Sequence, residues 1–257
     1  MNTEKLKQIV RHIMQEEIAG NHEPFESHPG LQEIVPTVRY IRDNTRDRNL
    51  QIPLQFANDE WVATIHRMSY VAKQPMFGHI QPGQHVSYEM ISFNRFDGDK
   101  IVQQHSQADV MSIREQAEGT LPEQHQYIQT NAASLAPDDA CALIRHLIEE
   151  SVKGNFDVLE DHPAFKEMIP TIEARRASSS KAEVSFPVEF SDGEWVATRS
   201  YWKQTAKGEL FGVDATGKEL EFEVLMVHRI EDGKVVDART MADAMAMQQQ
   251  LGLDHPA

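Results

Sequence analysis

The chain has 257 residues, a formal net charge of −15 and 40% hydrophobic residues. This length suits two domains of about 120 to 130 residues, each able to bury its own core, and the composition is that of a folded globular protein. The negative charge argues against nucleic-acid and anionic-membrane partners, because their phosphate groups attract Lys and Arg and repel an acidic surface.

The first predicted element is a helix over residues 5–19, where apolar side chains recur at helical spacing until Gly20-Asn21. A second helical segment is predicted over 31–35, where it leads into the Pro36-Thr37 pair. Strands are predicted next over 49–56, from Trp61 onward, over 84–96 and over 100–108, joined by turns such as Asp97-Gly98-Asp99. A short helix is predicted to follow Asp109.

The same elements recur 134 positions later. The phrase EWVAT at 60–64 returns at 194–198, and about 30% of the positions from 11 to 116 are identical at this offset without a gap. A repeat of this length is a whole domain. The fold class is therefore predicted as α+β: two tandem domains, each a curved, mostly antiparallel sheet covered by N-terminal helices. We place domain 1 at 1–117, a polar linker at 118–136 and domain 2 at 137–257.

One face of the third long strand of each copy is predicted to line the core or a pocket, because successive side chains of a strand point to opposite faces. This face carries Tyr88 in copy 1 and Phe222 in copy 2, and it ends in Asn94 or His228. Both end residues could donate hydrogen bonds to a carbonyl or enolate oxygen. A histidine that is simply satisfied at a strand end is the alternative.

The order of elements and the phrases between them resemble the SnoaL-like polyketide cyclases, also called ester cyclases, of the nuclear transport factor 2-like superfamily. Copy 2 carries the resemblance best, through Trp195-Val196-Ala197, Thr216-Gly217-Lys218 and residues 229–235, RIEDGKV, followed by Asp243 and 250–252, QLG. Copy 1 departs from the pattern in several places, including Lys73-Gln74-Pro75. The resemblance covers nearly the whole chain except the linker.

The resemblance implies a cone-shaped domain with a pocket between sheet and helices. It also implies ring closure of a hydrophobic carbonyl compound by intramolecular aldol chemistry, with an Asp as acid/base and no metal or cofactor. The family's catalytic Asp falls on Asp109 and Asp243. In copy 1 the alternation of the last strand is expected to place Gln103, His105, Gln107 and Asp109 on the pocket side. An Asp directly before a short helix is also a good N-cap, and that role alone would explain both residues.

His105 and Arg239 occupy equivalent positions near these two carboxyls. His105 could share or relay a proton with Asp109. Arg239 could keep Asp243 ionised, bind an acidic substrate group, or pair with Asp237 at the surface.

Several aromatic residues could line a cavity for a flat polycyclic ligand, although a domain of this size also needs aromatic residues in its core. These candidates are Trp61, Trp195, Tyr88, Phe222 and Trp202.

The sequence predicts no metal site and no nucleotide cofactor, since the twelve histidines form no H-E-x-x-H and no G-x-G-x-x-G or P-loop is present. The single cysteine, Cys141, excludes an internal disulfide. Without a signal peptide or a long apolar run, we expect a cytoplasmic protein with no membrane partner.

Two functions remain open at this stage: a cyclase-type enzyme, in which one copy or both is active, and a non-catalytic small-molecule-binding or scaffold protein, because this fold hosts many activities. The two copies are also expected to pair through their sheets as an internal pseudo-dimer, so that a homodimer is possible but not required.

Overall fold

The computed structural model of the chain describes residues 2–76, 80–117, 125–130 and 135–253. These residues fall into two compact units that meet in the chain between Gln129 and Thr130. We call them unit 1 and unit 2. Each unit has helices before a four-stranded antiparallel sheet and one short helix after it, which confirms the predicted fold class.

Unit 1 begins with three helices and a 3₁₀ turn, continues with four strands and ends with a helix. In chain order these elements are α1 (Thr3–Ala19), α2 (Glu23–Glu26), the 3₁₀ turn (Pro29–Ile34), α3 (Val35–Asn44), β1 (Thr45–Ala57), β2 (Trp61–Ala72), β3 (His85–Asp97), β4 (Lys100–Ala108) and α4 (Val110–Ala117).

Unit 2 repeats this order, with a 3₁₀ turn between its first two helices and a small additional hairpin. Its elements are α5 (Pro137–Lys153), the 3₁₀ turn (Asp157–Leu159), α6 (Pro163–Ala177), β5 (Ser179–Ser191), β6 (Trp195–Ala206), β7 (Glu209–Leu210), β8 (Val213–Asp214), β9 (Glu219–Glu231), β10 (Lys234–Ala242) and α7 (Ala244–Gln250). The strand order is β1-β2-β3-β4 in unit 1 and β10-β9-β6-β5 in unit 2.

The repeated phrase EWVAT forms the start of an inner strand in each sheet. In the turn before β2, the Asn58 side-chain oxygen accepts hydrogen bonds from the backbone N–H groups of Glu60 and Trp61, at 2.9 and 2.7 Å. Asp192 makes the same two contacts before β6, at 3.0 and 2.8 Å. A short polar side chain that bonds to the following backbone closes the turn and sets where the strand begins.

The second predicted helical segment is longer than expected. It was predicted to end before the Pro-Thr pair of each copy, but α3 runs on to Asn44 and α6 to Ala177. Pro36 lies in the first turn of α3, where a missing N–H costs no helical hydrogen bond. Pro170 lies inside α6. No helix within the described residues is both long and apolar enough to cross a membrane.

One extra residue in β4 reverses the expected alternation of its side chains. The pairs Asn94–Gln104 and Arg95–Gln103 are followed by Phe96–Ile101, so Val102 has no partner of its own in β3. Such a bulge moves every later side chain to the other face. Gln104 and Ser106 therefore share a face with Asn94, which corrects the expectation that Gln103, His105, Gln107 and Asp109 do so.

The predicted linker, 118–136, is described only at 125–130 and 135–136, and its other residues lie outside the described part of the chain. The Tyr127 hydroxyl donates to Glu89 of β3 at 2.5 Å, and the Gln129 amide donates to the carbonyl of Gln55 in β1 at 3.1 Å. Tyr127 and Gln129 of this segment thus contact strands of unit 1. The domain boundaries drawn from the sequence and the pairing of the two copies stay predictions.

Candidate functional site

Unit 1 contains a cavity of about 160 Å³ between its helices and the inner face of its sheet. The helix side of this cavity is almost entirely apolar. It is formed by Val10, Ile13, Met14, Phe25, Leu31, Ile34, Val38 and Ile41, together with Thr37 and Glu17.

The sheet side of the same cavity carries both polar and apolar side chains, and its polar groups come from three neighbouring strands at the same level. Register places Ser92 opposite Thr64 and opposite Ser106, and Asn94 opposite Gln104. The sheet contributes His66, Ser92, Asn94, Gln104 and Ser106 beside Leu50, Met68, Tyr88, Met90 and Ile101. A ligand held here meets hydrogen-bonding groups on one side and hydrocarbon on the other, as is typical of small-molecule sites.

Glu17 is the one carboxyl group in the cavity lining. It lies in the last turn of α1, four residues after Ile13 and seven after Val10, on the stripe that faces the sheet. Burial raises the pKa of Glu17 to about 7, while the nearby positive charge of Arg48 works in the opposite direction. A carboxyl with this pKa can both take up and release a proton near neutral pH.

Two further titratable groups of the cavity are kept neutral by burial. Burial lowers the pKa of His66 to about 4, and its Nδ1 has no hydrogen-bond partner among the described residues. Burial raises the pKa of Tyr88 well above its usual value, with smaller contributions from Tyr70 and Glu17. At neutral pH the cavity therefore holds an uncharged imidazole and an uncharged phenol near a carboxyl that titrates.

The cavity separates two clusters of buried apolar residues in unit 1. One cluster lies around Leu6, Phe25 and Phe96, and the other around Met68 and Tyr70. In unit 2 the helices and the sheet instead share a continuous cluster that runs from Ala140 to Val235. The two copies thus have the same fold but different interiors.

Larger side chains account for much of this difference. At the 134-residue offset, Leu31, Met68, Ser92 and Asn94 of the cavity correspond to Phe165, Trp202, Met226 and His228. Phe165, Trp202 and Met226 belong to the continuous cluster of unit 2. The His228 ring lies parallel to the Phe165 ring, with centroids 5.5 Å apart and planes 4° apart. These side chains fill the unit 2 positions that line the cavity in unit 1.

Both candidate catalytic aspartates are helix N-caps. The Asp109 carboxylate accepts a hydrogen bond from the Ser112 N–H at 3.1 Å, and that of Asp243 accepts one from the Ala246 N–H at 2.9 Å. Asp109 is absent from the cavity lining. The capping interpretation is confirmed, and a catalytic role for either residue stays a prediction.

Four other predicted site residues lie on the sheet face turned away from the helices. His105 pairs with Phe93, and its ring stacks with Trp61 at a centroid distance of 6.1 Å. In unit 2, Arg239 pairs with Val227 and Trp195 pairs with Arg229. The bulge in β4 therefore removes His105 from the cavity, which corrects its expected place on the pocket side with Asp109.

The remaining predicted site residues divide between the cavity and the unit 2 core. Asn94 and Tyr88 line the cavity of unit 1, whereas Phe222 and Trp202 are buried in the unit 2 core. His228 is only 1% exposed, and burial lowers its pKa to about 3. Their binding roles stay predictions.

The sequence analysis missed Glu17 and His66. Glu17 interrupts the apolar stripe of α1, and its counterpart in the second copy is Ser151. His66 likewise corresponds to Ser200 within otherwise similar strands. A comparison of the two copies could have identified both residues, because each is a titratable residue at a core position where the other copy has serine.

Within the described parts of the chain, no three His, Cys, Asp or Glu side chains lie close enough together to hold a metal ion.

Comparison with known proteins identifies the family. The family model described as SnoaL-like polyketide cyclase matches residues 1–117 and again 129–251. No curated protein matches the sequence. The chain is similar to the solved structure of a SnoaL-like polyketide cyclase from Agrobacterium tumefaciens, with 16% identity over 43% of this chain and 95% of that one and a TM-score of 0.40. It is similar to TsrD from Streptomyces laurentii, with 17% identity over 47% of this chain and 99% of that one and a TM-score of 0.43. It is also similar to IdmH from Streptomyces antibioticus, with 22% identity over 43% of this chain and 96% of that one and a TM-score of 0.40. Because the family model covers nearly the whole chain in two segments, this protein belongs to the SnoaL-like polyketide cyclase family and carries two copies of its domain in tandem.

Proposed function

We propose that unit 1 is an acid/base site for a compact carbonyl compound, with Glu17 as the group that takes and returns the proton. Membership of the SnoaL-like family supports a cyclase- or isomerase-like function in general. The observation that carries the finer proposal is the Glu17 carboxyl, whose pKa is about 7, in the wall of a largely apolar cavity.

The proposed step is removal of a proton from the carbon next to a carbonyl. The C–H bond breaks, the proton moves to the Glu17 carboxylate, and the electron pair passes to the carbonyl oxygen to give an enolate. The side-chain amides of Asn94 and Gln104, on the polar side of the cavity, are suited to donate hydrogen bonds to that oxygen. The enolate carbon then either recovers the proton or attacks a second carbonyl in an aldol closure.

The cavity volume limits the ligand. A cavity of about 150 Å³ holds a molecule of the size of benzene, whereas pockets for drug-sized ligands have about 300 to 1,000 Å³. At about 160 Å³, the unit 1 cavity suits a single ring or a short branched chain. This supports a smaller substrate than the flat polycyclic ligand considered from the sequence.

Asp109 and Asp243 remain an alternative location for the acid/base group. Against this alternative stands the use of both carboxylates as N-caps. Asparagine caps a helix about as well as aspartate, so D109N and D243N remove the carboxylate and keep the cap. These variants therefore separate the catalytic role from the capping role.

The test uses cyclohexanone, a single-ring ketone, in D₂O, with exchange of its α-hydrogens followed by proton NMR. The wild-type chain is expected to accelerate exchange above the buffer rate, and E17Q to lose about 10²- to 10⁴-fold of that acceleration, which is the usual contribution of a general base. If D109N or D243N loses the acceleration and E17Q keeps it, the Glu17 assignment is wrong.

A non-catalytic binding function would give a different result. The ring would then bind in unit 1, seen as saturable changes in protein amide signals, while exchange stayed at the buffer rate in every variant. That outcome would reject the acid/base proposal and keep the cavity as a ligand site.

A further inference from the structure

Unit 1 has a second concave region, outside the cavity, where α3 ends and β1 begins. It is an open cleft of about 590 Å³. Its lining is charged and is formed by Ile18, Arg42, Asp43, Thr45, Arg46, Asp47, Arg48 and Lys73. We call this region the basic cleft, because it presents four cations and two carboxylates in a chain whose net charge is −15.

The two carboxylates of the basic cleft do not neutralise it. Arg42 pairs with Asp43 at 2.7 Å and Arg46 with Asp47 at 2.6 Å, and all four side chains are about one-third exposed or more. Exposed pairs of this kind contribute little to stability, because water competes for both partners. An incoming anion can therefore replace an aspartate as the partner of either guanidinium at little cost.

The corresponding arginine of unit 2 has a structural task that Arg42 lacks. At the end of α5, the Arg176 guanidinium donates to the backbone carbonyls of Val152 and Ser151. Arg42 is its counterpart in unit 1. In unit 1 the carbonyl groups at the end of α1 are instead capped by Arg48, whose Nη1 donates to the Glu17 backbone carbonyl at 3.3 Å. Arg42 thus lines the cleft instead of closing the helix end.

A buried histidine lies beside the same arginines. His22 is 7% exposed, and neither ring nitrogen has a hydrogen-bond partner among the described residues. Burial and the positive charges of Arg42, Arg39 and Arg48 lower the pKa of His22, so its ring is neutral and keeps one N–H to donate. Phe156 occupies this position in unit 2. The His22 ring is not part of the cleft lining, so the groups that face an anion in the cleft are its arginines and Lys73.

We propose that the basic cleft of unit 1 is an anion-binding site that takes a carboxylate or phosphate group. Arg42 and Arg46 supply exposed guanidinium groups, Lys73 adds an ammonium group, and Arg48 connects the cleft to the end of α1. Unit 2 has Ser180 and Ala182 in place of Arg46 and Arg48. The site is therefore a property of unit 1 alone.

An anion in the basic cleft is also expected to affect Glu17, and this step rests on the proposed function. Arg48 lines the cleft and lowers the pKa of Glu17. A bound anion would offset that positive charge and make Glu17 a stronger base. The other titratable groups of the cavity lining are the side chains of His66 and Tyr88. Burial keeps both neutral near neutral pH, so they do not oppose this effect.

The test is a titration of the full chain with inorganic phosphate and, separately, with acetate, followed by amide NMR signals, with sodium chloride at matched ionic strength as the reference. Saturable shifts around Arg42 and Arg46 are expected with at least one anion. Saturation by phosphate assigns a phosphate ligand, and saturation by acetate alone assigns a carboxylate. If neither anion differs from chloride, the proposal is wrong.

Three double variants sharpen this titration. R42Q/R46Q is expected to raise Kd at least tenfold. D43N/D47N, which removes the competing carboxylates, is expected to lower Kd, and asparagine tolerates the left-handed backbone of residue 47, where φ is 54°. K5Q/K7Q removes the same charge at the other end of α1 and should leave Kd within twofold. If K5Q/K7Q and R42Q/R46Q lose the same anion affinity, the binding depends only on net charge and the site is rejected.

Failure of this inference and failure of the proposed function give different results, because the titration needs no turnover. E17Q, which tests the acid/base step, should still bind the anion. If E17Q loses exchange and no anion binds, the proposed function is retained and the basic cleft is rejected. If E17Q keeps exchange and an anion binds, the basic cleft alone is retained.

Discussion

Ser92 and Met226 occupy the same place in the two sheets, each opposite the threonine of the repeated phrase, Thr64 or Thr198. Ser92 lines the cavity of unit 1, whereas Met226 is 6% exposed within the unit 2 core. The volume of this one side chain contributes to whether the space between helices and sheet stays open or is filled.

The substitution S92M is expected to close much of the unit 1 cavity. A methionine side chain is flexible enough to enter an irregular gap, so the variant should fold and bind cyclohexanone at least tenfold more weakly than the wild type. The affinity is measured from amide NMR shifts. S185M places the same side chain at an exposed position of β5 and serves as the control. Equal affinities for S92M and wild type would show that the ring binds elsewhere.

The reciprocal substitution M226S is expected to destabilise unit 2. Removing most of a buried methionine leaves a void, and substitutions of this kind cost about 2 to 5 kcal/mol. Urea unfolding should show the loss in the transition of unit 2. A loss below about 1 kcal/mol would mean that the surrounding core collapses into the vacated space and that the packing of unit 2 does not depend on Met226.

The rate of ketone exchange is expected to depend on pH through Glu17. Only the carboxylate form accepts a proton, so the rate should rise tenfold per pH unit below about 7 and level off above it, at the pKa of Glu17. The measurement is the exchange rate of cyclohexanone across pH 5 to 9. E17Q should lack this rise. A plateau reached already near pH 5 would contradict the raised pKa.

Protein stability is expected to respond to Glu17 in a defined direction. Its pKa is about 7 in the folded chain and about 4.5 when exposed, so the folded state binds more protons between these values. The free energy of unfolding contributed by Glu17 is therefore highest below about pH 4.5 and falls as pH rises to about 7. E17Q removes this loss and should be more stable than the wild type at pH 8, by about 1 to 3 kcal/mol, and nearly equal at pH 4.

Urea unfolding at pH 4 and pH 8 measures this difference. The matched control is E16Q, because Glu16 lies on the same helix turn and its carboxylate contacts the exposed Asn21 amide. A difference between E17Q and wild type that does not change with pH would contradict the burial of the Glu17 carboxyl.

The two aspartate caps are expected to contribute to stability independently of any reaction. D109A and D243A each lose a hydrogen bond to the first turn of a helix, at 3.1 and 2.9 Å, and should each cost about 1 kcal/mol. D109N and D243N should cost only a few tenths of that amount. Thermal or urea unfolding checks the order. If the asparagine variants lose as much as the alanine variants, the carboxylate charge has a role beyond capping.

Much of the fold could be predicted from the sequence because its signals are local or repeated. The gap-free repeat indicated two copies, and the turn before the phrase EWVAT indicated where β2 and β6 begin. The N-caps at Asp109 and Asp243 were also visible, since a cap depends on a side chain and the three residues that follow it. Lengths were less secure: the Pro-Thr pairs suggested that helices end where they in fact continue.

The candidate site depended on relationships that no local pattern contains. The unpaired Val102 decides on which face of the sheet each later side chain of β4 lies. It therefore places Gln104 and Ser106 in the cavity lining and His105 on the opposite face. The likeness to the family is strongest in the turns and strand ends of copy 2, yet the cavity lies in copy 1. Turn residues set the fold, whereas the volumes of side chains inside it decide whether a cavity remains.

The sequence by itself determined that this chain folds twice into the same helix-and-sheet domain, because periodicity, turns and caps are encoded within a few residues of one another. Only the tertiary structure decided that copy 1 keeps a cavity, that Glu17 borders it and that the equivalent space of copy 2 is filled. The pKa of a carboxyl and the volume of a cavity are set by side chains that meet from distant parts of the chain, and such meetings exist only after folding.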